Sequence, residues 1–145
     1  MAAEEKRPNW VERKASRDAN LREHAEEVWH DVRSAIQDCC ESFRIHYNRG
    51  VQDQLENGSR IRITVSYPTG QRQTILVAFR STLIEVTVGE RSPKTYNMDA
   101  DEAHAFITDE NGKEINPDDF TRVALEAALT KPPSQSRPSK PSRPF

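Results

Sequence analysis

The four histidines, two adjacent cysteines and several acidic pairs of this chain could do chemistry, but their spacing assembles no familiar catalytic or metal-binding set. His24 and His30 are six residues apart, where a zinc protease helix needs four, and no His-Glu-x-x-His stands in the chain. His46 falls at the end of a helical pattern, where a positive side chain suits the helix dipole, and His104 stands alone on an expected strand. Cys39 and Cys40 are neighbours in the same helical pattern, so their side chains diverge by about 100° and make poor disulfide partners. One is expected in the core and the other at its margin. A zinc site there would need more ligands than His46 alone supplies. Asp109-Glu110-Asn111-Gly112 has the look of a calcium loop. Aligning Gly112 with the loop's glycine puts Ile107 at the first carboxylate position and Asp118 in place of the closing glutamate. A tight turn is the expectation instead. No serine sits in a Gly-x-Ser-x-Gly elbow. The pairs Asp99/Asp101 and Asp118/Asp119 are accounted for by turns and a helix cap. No catalytic residue, metal ligand or cofactor is therefore expected, and an enzyme ranks below the binding readings.

Three groups of residues suggest binding. Trp10, set among charges, is costly to leave in water and belongs to a residue type enriched at binding hot spots. It either folds back on its own domain or meets a second copy or another helical protein. In the tail, Pro138, Pro141 and Arg143 have the proline–basic spacing that aromatic grooves of polyproline-binding modules accept. Arg60, Arg62 and Arg72 share the expected outer face of a sheet, with Arg80 at its edge, where they can neutralise phosphates. That face carries no aromatic side chain to stack on a base.

The totals say how these groups must be carried. Of 145 residues, 30% are charged and 34% hydrophobic, which is lean for a chain folded end to end. The apolar residues cluster between Leu21 and Leu129. The expected organisation is a charged extension over 1–20, one domain over 21–130, and a disordered Pro/Ser/basic tail over 131–145. Net charge is −2, and residues 1–57, 58–95, 96–130 and 131–145 carry −3, +4, −7 and +4. The basic parts can thus be neutralised within the molecule, which competes with nucleic-acid binding. The longest apolar run, Ile75 to Phe79, is too short to cross a bilayer. The first residues lack the apolar core of a secretory signal, so a cytoplasmic location is expected.

The elements follow from periodicity. Leu21, Ala25, Val28, Val32, Ala35 and Cys39, with Trp29, Ile36 and Phe43 beside them, predict a long amphipathic helix ending near Asn48 and Gly50. Upstream, Trp10 to Ala19 predict a sparse helical extension, protruding or frayed. Ile61/Ile63/Val65, Ile75/Val77/Phe79 and Ile84/Val86/Val88 alternate and predict a three-stranded meander. A Pro68-Thr69-Gly70 loop pairs Ile63 with Ile75 and Ile61 with Val77. The next connection pairs Phe79 with Ile84 and Val77 with Val86. Residues 51–56 are expected as an edge strand, with further strands over Lys94–Met98 and His104–Thr108. Asn116-Pro117-Asp118-Asp119 predicts the start of a second helix with Phe120, Val123, Ala124, Ala127 and Ala128 buried. The fold class is α+β: a long N-terminal helix, an antiparallel meander of four to six strands and a C-terminal helix, both helices on one face. The function expected is a non-enzymatic interaction or scaffold protein acting through Trp10, the tail, or both. Binding of nucleic acid through the four arginines and the tail is the alternative.

Overall fold

The computed structural model describes residues 9–47, 50–101 and 104–133. A 38-residue helix, α1 (Trp10–Tyr47), comes first. Seven strands follow: β1 (Gly50–Glu56), β2 (Arg60–Ser66), β3 (Arg72–Arg80), β4 (Leu83–Val88), β5 (Lys94–Ala100), β6 (Ala105–Thr108) and β7 (Glu114–Ile115). Helix α2 (Pro117–Thr130) closes the described chain. The strands form one antiparallel sheet in the order β1 to β7, each beside its neighbours in sequence. This is the expected α+β architecture with one strand more than the upper count. The addition is β7, whose two residues are too few to show an alternation.

Alternation and turn chemistry together set the register. Ile63 faces Ile75 and Ile61 faces Val77, while Phe79 faces Ile84 and Val77 faces Val86, as the pattern requires. In the loop between β2 and β3, Gly70 sits at φ +89°, a left-handed conformation that suits glycine. Its N–H donates to the Tyr67 carbonyl at 2.9 Å. Residues 51–56 do form the edge strand, pairing Val51 with Val65 and Leu55 with Ile61. Helix α1 ends at Tyr47, beside the expected stop, and Gly50 is the first residue of β1. A Cβ there would stand 3.1 Å from that of Ser66, so the glycine allows close strand approach.

Both helices cover the inner face of the sheet. Their buried residues join Ile61, Ile63, Val65, Ile75, Val77, Ile84 and Val86 in one core. From α1 come Ala25, Val28, Trp29, Val32, Ile36 and Cys40, close to the expected stripe. The stripe of α2 is phased differently. Phe120, Thr121, Leu125, Ala128 and Leu129 are buried, whereas Val123 is 58% exposed. Turning the helix this way buries two leucines at the cost of exposing Val123 and Ala127, a net gain in apolar area removed from water.

Specific polar ties lock the layers together. Trp29 Nε1 donates to the Gly58 carbonyl at 2.8 Å, and its ring stacks on Phe79 with centroids 5.7 Å apart. The Tyr67 hydroxyl donates to the Ala128 carbonyl of α2 and accepts from Gln73 Nε2 at 2.8 Å. Asn116 caps α2, its Oδ1 accepting from Asp119 N at 2.7 Å. Cys40 is buried and Cys39 half-buried, both free, as their places in the helix require. Burial pushes the Cys40 thiol up to about 12, so it behaves as a small apolar side chain.

Candidate functional site

Helix α1 does not stop where the sheet stops. Every residue from Trp10 to Arg17 is exposed, and Ala25 is the first fully buried position. At 1.5 Å per residue, the stretch from Trp10 to Arg17 adds about 12 Å of helix beyond the body. Its start is well specified. Asn9 Oδ1 accepts from Glu12 N at 2.8 Å while Glu12 Oε1 accepts from Asn9 N at 3.0 Å, a reciprocal capping box. Lys14 and Asp18 form an i,i+4 ion pair at 2.9 Å. Where the tip meets the body, Asn20 Nδ2 donates to the Asp101 carbonyl at 2.8 Å.

Trp10 is 68% exposed and Val11 52% exposed. Neither folds back. Trp10 lies 18 residues, five whole turns, before Val28, so it points to the same side of α1 as the buried stripe. The core-facing stripe therefore continues past the edge of the sheet with none of the described residues covering it.

A second apolar feature lies at the other end of α1. An open groove of about 460 Å³ runs between α1 and α2, floored by Cys39, Phe43, Tyr47 and Leu129. Asp38, Asp118 and Glu126 line it together with one cation, Arg122. Tyr47 is 64% exposed and packs on Phe43 with ring centroids 5.1 Å apart. Burial, with a smaller contribution from Asp118, raises the Cys39 thiol above its ordinary range. That disfavours a thiolate nucleophile in the groove.

The four arginines do not form a single patch. Arg60 Nε and Arg62 Nε both donate to Glu56, at 3.0 and 2.8 Å, and these contacts hold the Glu56 carboxyl below its usual range, Arg62 foremost. Arg80 pairs with Glu85 at 2.9 Å. Arg72 faces Ser66 at the opposite end of the β2–β3 ladder from Arg60. It lines a separate groove with Arg91, Glu90 and Pro133, and Gln71 Nε2 reaches the Pro133 carbonyl at 3.5 Å. The sequence reading missed Arg91 because it sits in a loop with no pattern to place it. Pro138, Pro141 and Arg143 lie outside the described residues.

His104 has closer company than its place in sequence suggests. Its ring nitrogens lie 3.3 Å from Asp101 Oδ1 and 3.2 Å from Glu114 Oε2. The hydrogen bond to Glu114 is the main cause raising its pKa, with Asp101 adding to it. Asp109 Oδ1 accepts from the backbone N–H groups of Asn111 and Lys113, forming the tight turn expected there. Among the described residues no group of three or more His, Cys, Asp or Glu side chains is arranged to hold a metal ion. No helix among them is long and apolar enough to cross a membrane.

Compared with protein-family models, curated proteins and solved structures, the chain matches none of them.

Proposed function

We propose that this protein is a non-enzymatic interaction module whose working element is the protruding start of α1. The observation that carries the reading is the 68% exposure of Trp10 on the uncovered continuation of a core-facing stripe. A tryptophan there costs hydration free energy in isolation and returns it when a partner covers it. The capping box adds about 1 kcal/mol to keeping the tip helical, which lowers the ordering cost of binding. Two free cysteines suit the reducing cytoplasm expected from the sequence. The test is affinity capture with the intact protein and with Trp10→Ala. Partners recovered by the first and lost by the second are the expected result. Recovery that does not depend on Trp10 overturns the reading.

A second reading, binding of nucleic-acid phosphate, is supported by one juxtaposition. Pro133, the third residue of the basic tail, lines the same groove as Arg72 and Arg91. On this reading the binding face is the Arg72 end of the sheet, since Arg60, Arg62 and Arg80 are held by carboxylates. Salt-sensitive retention of single-stranded DNA, weakened by Arg72→Ala with Arg91→Ala, is the expected outcome. No retention at low salt removes it.

A further inference from the structure

We infer that the occupant of the groove between α1 and α2 is the Trp10 tip of a second copy of this chain. The inference rests on the reading of the tip as an interaction element and names its partner.

Two uncovered apolar features belong to one helix. The tip offers Trp10 and Val11, both more than half exposed. The groove offers Cys39, Phe43 and Tyr47 from α1, beside the more polar wall of α2, in a space of about 460 Å³. That volume lies within the range of small-ligand sites and accepts an indole. The charges are complementary. Residues 10–18 carry Arg13, Lys14 and Arg17 against Glu12 and Asp18, a net +1. The groove carries Asp38, Asp118 and Glu126 against Arg122, a net −2.

The two features cannot meet within one molecule. From Arg17 to Cys39 the helix runs about 33 Å, and it is continuous between them. The tip must therefore find the groove of another copy. If each of two copies inserts its tip into the other's groove, both features are covered twice and the assembly closes with two-fold symmetry. Insertion in one direction only would leave a free tip and a free groove at the ends and grow an open chain.

Cys39, already in the groove, provides a reporter. In the full chain carrying Val11→Cys, a short thiol–thiol cross-linker should join position 11 of one copy to Cys39 of another and give a covalent dimer. Adding Cys39→Ser should abolish that dimer. Cross-linking that survives Cys39→Ser indicates tip-to-tip contact and overturns the inference. Sedimentation of the unmodified chain should show a dimer that weakens at least about tenfold as salt screens the charge pairing. Trp10→Ala should weaken it about thirtyfold or more, as a hot-spot residue does. Glu126→Lys should weaken it too, and pairing that variant with Arg17→Glu should restore part of the loss. A chain that sediments as a monomer at every concentration also overturns the inference. If that monomer still captures other proteins through Trp10, the proposed function stands while the second copy is excluded. If Trp10→Ala changes neither property, both fall.

Discussion

The two ends of α1 present the same side of one continuous helix to opposite surroundings. Between Ala25 and Cys40 that side is sealed against a seven-stranded sheet. Between Trp10 and Arg17 it meets solvent. A tryptophan stands in each half, Trp29 at 2% exposure and Trp10 at 68%. The difference teaches that the helix is longer than its own domain requires. Stability in the first half comes from burial, whereas the second half depends on its cap, local ion pairing and continuity with a packed helix.

The comparison breaks most visibly through the two tryptophans. Trp29→Ala removes a buried ring, its stack on Phe79 and its bond to Gly58. It should lower unfolding free energy by about 3–5 kcal/mol in a denaturant titration. Trp10→Ala should stay within about 0.5 kcal/mol of the parent in dilute solution. A comparable loss from both would mean that the tip packs on its own domain.

Tyr67→Phe comes next. It deletes a buried hydroxyl that holds α2 to the sheet and leaves Gln73 and the Ala128 carbonyl short of a partner, at a cost of about 1–3 kcal/mol. Caps separate the two regions further. Asn116→Ala should cost about 1 kcal/mol of global stability, because α2 is part of the core. Asn9→Ala should leave the thermal midpoint nearly unchanged and reduce only the helical signal, because the tip can fray alone.

The smallest effect lies at the junction, where Asn20 binds the Asp101 carbonyl and Asp101 faces His104. The folded-state pKa of His104 is raised, so its contribution to stability is complete below the unfolded value near 6.5. That contribution is lost as pH rises through the folded pKa. An NMR titration should place the His104 midpoint above that of a solvated histidine, and Glu114→Gln should bring it down.

Legibility in the sequence followed the range of the contacts. The hairpin registers were readable because parity and turn residues, both local, had to agree at Pro68-Thr69-Gly70 and at Ile63 with Ile75. The phase of α2 was not. Alanine, valine and leucine are interleaved at both possible stripes, and only the facing sheet and α1 select Leu125 and Leu129 over Val123. The exposure of Trp10 was one of two outcomes the sequence left open. Its capping box, Asn9-Trp10-Val11-Glu12, was written in the chain but lay hidden among charges without an apolar run behind it. The groove was beyond sequence reasoning, since it joins residues 35–47 to 118–130 through the path of the whole sheet.

The strict β1-to-β7 order has a consequence for how the chain reaches this structure. Each strand pairs with the segment just before or after it, so the sheet can zip along the chain through short loop closures. Among the described residues, the longest of the side-chain closures belongs to α1. Its bond from Asn20 to Asp101 bridges 81 residues, and its packing on α2 spans a comparable distance. The helix that comes first in the chain thus meets β1 through a short closure but carries the largest loop-closure cost where it meets β5, β6 and α2.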